Sequence, residues 1–301
     1  MISIIIPTFN EEAFLPRLLA SIKAQDFEDV EIIVADNDSK DRTREIARRA
    51  GAKVVRGGLP GQGRNRGAEA ASGELLLFLD ADTVLPVGFL TRLFHKMEGE
   101  FVDICIPWYK PIDGDKPIYR TIFKLSCTWF KLMEGIQPQG LGVCILVTAR
   151  LHRRIGGFDE KKRVSEDFDY INRASLVGRF RVFTGLYVYH SVRRYAAEGA
   201  ASLVQRQLKG GVLFFFTGKP YDDIEYEFGQ FSRYLQEERD DRASSAKNAE
   251  VKKLLSNFTR ESNRLKTQIE ELSVKKRRKE PKRAGKAGRK PPRAGRRPGK
   301  G

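Results

Sequence analysis

The first eighty residues alternate short apolar runs with helical patterns, and few architectures accept that order. Ile2 to Ile6 is an unbroken apolar run, the form taken by a strand buried on both faces. It is too abruptly ended by Pro7, Asn10, Glu11 and Glu12, and too poor in preceding charge, to be a signal peptide. Between Ala13 and Lys23, Phe14, Leu15, Leu18, Leu19 and Ile22 recur at helical spacing. "VEIIVAD", Val30 to Asp36, predicts a second strand, and Asp41 an N-cap for a helix from Arg42 to Ala50 that Gly51 ends. "AKVVRG" predicts a third strand, Gly61 to Ser72 a helix, and Glu74 to Leu79 a fourth strand. A βαβαβαβ order implies a parallel sheet with right-handed crossovers, and ligands in such sheets sit beyond the carboxyl ends of the strands.

Beyond Phe101 the pattern loosens. "FVDICIPW", "GVCILVTA" and "RVFTGLYVYHS" are expected as strands and Tyr119 to Met133 as an aromatic-rich helix. Ser202 to Phe216 and Tyr226 to Arg242 read as helices. From Ala246 to Ser273, Val251, Leu254, Leu255, Phe258, Leu265, Ile269 and Leu272 mark an amphipathic helix. A short coiled coil is the alternative there, against which Ser262 falls on the apolar stripe. No stretch reaches the roughly 18 apolar residues of a membrane span; the greasiest, "GGVLFFFTG" at Gly210 to Gly218, is far shorter.

Charge is distributed unevenly. Of the net +16, residues 275–301 carry +13, from fourteen Lys/Arg and one Glu, so the rest of the chain has the balance of an ordinary enzyme. That tail, low in complexity and unable to bury apolar surface, is expected to be disordered. Cys105, Cys127 and Cys144 show no metal-ligand spacing and read as buried free thiols in a reducing compartment.

Acidic and amide groups recur where the strands end: Thr8, Asn10 and Glu11 after the first, Asp36, Asn37 and Asp38 after the second, Asp80 and Asp82 after the fourth. Each alone is explained by the preference of Asp and Asn for loops and caps, and Asp82 alone by a helix starting at Pro86. In an extended segment Asp80 and Asp82 face the same way. Paired carboxylates need a cation, basic groups or water, and oxygen ligands select a hard ion such as Mg2+ or Mn2+.

"PTFNEE", "VADNDSKDRT", "GQGRNRGAEAASGELLLFLDADT", "GGFDE" and "SEDFDY" follow one another in order over Ile2 to Tyr195. This ordered set resembles the family 2 glycosyltransferases, GT-A fold enzymes that use nucleotide-diphosphate sugars. The second motif departs from the usual DDGS, reading Asp36-Asn37-Asp38-Ser39. The QxxRW motif of processive synthases is missing, with "HSVRRY" in its region, which disfavours a processive polymerase. The resemblance implies that Pro7, Thr8, Asn10 and Glu11 border the nucleoside, with Asn37 beside Asp36, which accepts from a base N–H. It implies that Arg64 lies by base or diphosphate, a solvated helix arginine being the other reading. Asp80, Ala81 and Asp82 would hold the metal and diphosphate; Arg193 and Arg194, three and four residues beyond His190, are a candidate clamp for the diphosphate or for an anionic acceptor. Asp167 would be the catalytic base, with Glu166 beside it and Asp169 as rival; the cluster equally suits a helix N-terminus capped by Ser165. His190 is a candidate third metal ligand or an ordinary hydrogen-bonded histidine. Trp108, Tyr109 and Trp129 are either a sugar or lipid platform or core.

The expected protein is α/β, of GT-A type, with a Rossmann-like, mostly parallel central sheet flanked by helices. Residues 1–100 form a nucleotide-sugar half, 101–220 an acceptor and catalytic-base half, 221–274 a helical extension and 275–301 the basic tail. Its expected activity is inverting, Mn2+- or Mg2+-dependent transfer from a UDP- or GDP-sugar to an acceptor hydroxyl or phosphate, lipid-linked or glycan. The expected location is cytoplasmic, peripheral at the inner face of the membrane through extension and tail, where clustered Lys/Arg bind anionic leaflets at about 1 kcal/mol each. Nucleic acid would be reached only through the tail. The rival is a non-catalytic sugar-nucleotide-binding or scaffold protein with the tail as its working part. A sugar-1-phosphate nucleotidyltransferase would place a Gly-rich loop where "PTFNEE" stands.

Overall fold

The computed structural model describes residues 1–112, 117–194 and Arg260. Contacts divide the chain into Met1–Thr259 and Arg260–Gly301, and every element below belongs to the first unit. Apart from Arg260, the helices expected beyond residue 201, the apolar Gly210–Gly218 run and the basic tail lie outside the described residues.

The expected alternation is present. β1 (Ile2–Thr8), α1 (Leu15–Lys23), β2 (Val30–Asp36), α2 (Thr43–Arg49), β3 (Lys53–Arg56), α3 (Pro60–Glu69) and β4 (Leu75–Leu79) follow in order. They are succeeded by β5 (Thr83–Val84), α4 (Phe89–Gly99), β6 (Ile104–Pro111), α5 (Pro117–Met133), β7 (Cys144–Thr148), α6 (Ala149–Arg154), α7 (Glu166–Ser175) and β8 (Phe180–His190). The eight strands form one sheet in the order β3-β2-β1-β4-β7-β6-β8-β5.

β1 pairs in parallel with both β2 and β4, and β2 with β3, which puts the carboxyl ends of these strands on one rim. β7 runs antiparallel to both β4 and β6, and β5 antiparallel to β8, so the parallel run that the alternation implied for β1 to β4 continues into a mixed sheet. β6 and β8 are parallel, with a register shift at Pro107/Trp108. Pro107 lacks the N–H that a regular ladder requires there.

The core lies around the central strands. Ile4, Ile5 and Ile6 of β1, Leu77, Phe78 and Leu79 of β4, and Ile145 and Leu146 of β7 are fully buried. Each such side chain contributes about 1.5–3 kcal/mol. α1 buries Leu15, Leu18, Leu19 and Ile22, the residues whose spacing marked it as a helix. All three cysteines are buried free thiols, as expected, and burial pushes the Cys127 thiol up to about 12. Among the described residues no helix is long and apolar enough to cross a membrane.

Candidate active site

Two loops make one side of the rim. The segment after β1 and the segment after β2 are zipped together: Asn10 N–H donates to Ser39 Oγ at 2.9 Å, Glu11 N–H to Thr43 Oγ1 at 2.8 Å, and Lys40 N–H to Asn10 Oδ1 at 2.8 Å. Asn10 and Asp38 adopt positive φ, 56° and 54°, which Asn and Asp tolerate better than most residues. The β1–β2 register sets Thr8 beside Asp36, and Thr8 Oγ1 donates to Asp36 Oδ2 at 3.0 Å. Ser39 donates to the same carboxylate through its N–H at 3.0 Å and its hydroxyl at 2.5 Å. Asp36 is therefore a buried knot between the two loops, and Asn37 N–H closes it on Thr8 O at 2.8 Å. Pro7 is half-buried at the end of β1 against α3.

The acidic pair lies across from these loops. Asp80 and Asp82 converge through a turn, not an extended segment: Thr83 N–H donates to Asp80 O at 3.2 Å, and Ala81 is packed inside. No helix starts at Pro86; Thr83–Val84 instead forms β5 against the end of β8, pairing Thr83 with His190. Ser191 N–H donates to Asp82 O at 3.1 Å and locks that junction. The result is a group of Asp80, Asp82 and His190 whose ligand atoms all lie within 4.8 Å of one another. His190 Nδ1 is 3.4 Å from Asp82 Oδ1, is buried, and makes no hydrogen bond. Two carboxylates and an imidazole are a donor set that suits a divalent ion such as Mn2+.

Arg193 joins this group to the first loops. Its guanidinium binds both oxygens of buried Glu11, at 2.8 and 2.7 Å, and its Nε is 2.8 Å from Asp82 Oδ2. It also lies over the Phe14 ring, 4.2 Å from the centroid. Burial pushes the Glu11 carboxyl up to about 7 against the pull of Arg193. Arg193 is itself raised by Asp82 and Glu11 against its own burial, and the two-point geometry favours the ionised pair. At Asp82 burial opposes charge, but His190, Arg193 and Arg194 outweigh it and hold the carboxyl low.

α7 supplies the second set of carboxyls. Ser165 stands at its N-cap position in the left-handed region (φ 59°) and makes no side-chain cap, so the expected serine cap is absent although the helix is present. Asp169 is held by Arg173 at 2.7 Å and approached by Lys162 at 3.8 Å. Glu166 is buried and bound by Arg64 at 2.8 Å. Asp167 is half-buried, and its Oδ2 accepts the Gly142 N–H at 2.7 Å. Burial first, then the neighbouring Glu166 charge, push the Asp167 carboxyl up to about 7, while Arg64 pulls the other way.

Arg64 is 3 % exposed, which removes the reading of a solvated helix arginine. It spans from Glu166 to Asp80, which it binds at 2.9 Å. Of the aromatic candidates, Tyr109 packs edge-on against Phe123, Trp129 is buried, and Trp108 is half-buried on β6. The residues passed over in the sequence are Phe14, Ser39, Thr43 and Gly142. Their signal was faint, because a small or hydroxylated residue in a loop carries no chemistry until its partner is known.

A mixed sheet with this strand order, bearing an Asp-x-Asp turn and a carboxylate-tipped helix on one rim, defines the GT-A class of nucleotide-sugar folds. Structural comparison agrees on the fold. The Staphylococcus aureus protein TarS, crystallised with UDP-GlcNAc, superposes with TM-score 0.51 at 23% identity, over 78% of this chain and 70% of that one. A Pyrobaculum calidifontis mannosyltransferase, PcManGT, in complex with GDP-Man and Mn2+ gives TM-score 0.53 at 21% identity, over 73% and 65%. Residues 3–155 match the family described as glycosyl transferase family 2, and the chain belongs to that family. A Campylobacter jejuni relative, GalNAc(5)-diNAcBac-PP-undecaprenol beta-1,3-glucosyltransferase, is 36% identical over 114 residues, which are 34% of this chain and 36% of that protein. The chain matches about a third of the length of its first curated relatives.

Proposed function

We propose that the chain transfers a glycosyl group from a nucleotide-diphosphate sugar to an acceptor hydroxyl, inverting the anomeric centre. One observation carries the reading: a metal-competent Asp80–Asp82–His190 group and a half-buried carboxyl near neutral pKa, Asp167, occupy one rim and are tied to each other through Arg64.

Thr8, Asn10 and Glu11 border the nucleoside, with Pro7 and Asn37 shaping the same edge. Asp36 serves the base edge by exchanging its Ser39 hydroxyl for a base N–H. UDP- and GDP-sugars are the donor classes to try, since proteins of this fold were crystallised with UDP-GlcNAc and GDP-Man. Asp80, Asp82 and His190 would hold Mn2+ or Mg2+, which as a Lewis acid neutralises charge developing on the departing diphosphate. Arg194, and Arg193 on exchanging its Glu11 contacts, would bind diphosphate oxygens beside Asp82. Asp167, ionised, accepts the proton of the acceptor hydroxyl as its oxygen attacks the anomeric carbon from the face opposite the nucleotide. Glu166 keeps that proton affinity high by its adjacent charge, and Asp169, bound to Arg173, is relieved of the role. Residues 1–100 serve the donor and 101–220 the acceptor and base.

The acceptor class is lipid-linked or glycan, approached at an anionic membrane surface by the basic residues 275–301. The test of the donor site is Mn2+-dependent binding across UDP-glucose, UDP-GlcNAc and GDP-mannose. Asp82→Ala is expected to weaken it by at least about 10–100-fold. Metal-independent binding that Asp82→Ala leaves unchanged would remove the assignment.

A further inference from the structure

We infer that Arg64 is a positioning residue, which fixes the separation between the candidate cation carboxylate Asp80 and the candidate base Asp167. The inference rests on the function proposed above. Arg64 projects from α3 into the interior, between two elements that the chain brings together from far apart. Nη1 donates to Glu166 Oε1 at 2.8 Å and Nη2 to Asp80 Oδ1 at 2.9 Å. Nη2 also reaches the Gly142 carbonyl, at 3.5 Å, and the N–H of Gly142 is donated to Asp167. Two paths therefore leave one guanidinium towards α7: through the Glu166 carboxylate, and through the Gly142 residue to the base.

The neighbouring residue is shaped to admit this fork. A Cβ on Gly142 would stand 2.4 Å from Arg64 Nη2 and 3.0 Å from Cζ, so any side chain there displaces the guanidinium. Lysine is no substitute, because an ammonium is a point charge and only the planar fork offers donors in fixed directions to two acceptors at once. Both terminal nitrogens are bound to protein, one on each side of the fork, so the guanidinium couples Asp80 to Glu166 directly. What it controls is geometry: a misplacement of about 1 Å between reacting groups costs about 100-fold in rate.

The experiment compares Arg64→Lys, Gly142→Ala and the double variant, with Asp167→Asn as control. Mn2+ binding is read by electron paramagnetic resonance on donor-free protein, UDP and GDP binding with Mn2+ by calorimetry, and kcat and KM from hydrolysis of UDP-glucose, UDP-GlcNAc and GDP-mannose. Arg64→Lys and Gly142→Ala are expected to keep Mn2+ and nucleotide affinity within about threefold and KM little changed, while kcat falls. The fall is about 100-fold. The double variant should fall no further than the worse single one, since removing the fork removes the clash. Gly142→Ala keeps Arg64 and its charge, so it decides the matter if Arg64→Lys does not fold. Unimpaired kcat in Arg64→Lys or Gly142→Ala, with Asp167→Asn inactive, overturns this inference alone. So does a joint loss of nucleotide affinity and kcat, which would make Arg64 a donor ligand. Full hydrolysis by Asp167→Asn overturns the functional reading beneath it.

Discussion

Asp167 is the carboxyl proposed as the base. Burial and the adjacent Glu166 raise it from 3.8 to about 7, so it is ionised only as the pH passes neutrality. A general base works in its ionised form, and the rate of donor hydrolysis should therefore rise with pH through a limb near 7. Glu166→Gln removes the neighbouring like charge, and the limb should move to lower pH in a kcat–pH profile. Stability runs the other way. A carboxyl raised on folding favours the folded state fully below its unfolded pKa near 3.8, and that contribution is lost as the pH rises through about 7. Asp167→Asn should accordingly gain melting temperature over the parent at pH 8 and show no such gain at pH 3. The identity of these residues was legible in the sequence, but their pairing was not. Glu11 and Arg193 are 182 positions apart, and no local pattern announces that they share two hydrogen bonds.

At the scale of elements, β1 to β4 were readable because buried apolar runs and helical spacing of apolar residues follow directly from side-chain geometry. Periodicity carries no information on strand direction, so the antiparallel β7 was not foreseen. Nor was β5, two residues long, which exists only because β8 supplies a partner. α6 is a six-residue helix opened by Thr148, whose hydroxyl accepts Leu151 N–H at 3.2 Å. Such a short helix gives no amphipathic stripe to detect. The packing of α3 on β1 does have a sequence mark, in Gly67: a Cβ there would meet Ile5 Cγ2 at 2.3 Å in the fully buried centre of the sheet. Gly67→Ala is expected to cost about 1–3 kcal/mol in denaturant unfolding, through overpacking. It should leave the rim residues' roles intact in whatever fraction stays folded.

At the scale of the molecule, the rim gathers Glu11, Asp80, Asp82, Glu166 and Asp167 around Arg64, Arg193 and Arg194. More carboxyls than guanidiniums in one partly buried place favour a further cation. Mn2+ with UDP should thus stabilise the fold by mass action, about 2.7 kcal/mol at a concentration of 100 times Kd, read as a rise in melting temperature. Asp82→Ala, binding at least about 10-fold more weakly, should cut the stabilisation at the same concentration to about 1.4 kcal/mol or less. Residues 275–301 concentrate charge without large apolar residues, and their removal should reduce sedimentation with anionic vesicles while leaving nucleotide binding unchanged. On the proposed reading, one rim both binds the donor and deprotonates the acceptor. Mn2+-dependent donor hydrolysis by Asp167→Asn, measured beside nucleotide binding by the same protein, separates the two roles: UDP or GDP should bind as to the parent with hydrolysis lost, and hydrolysis at the parental rate would rule out Asp167 as the base.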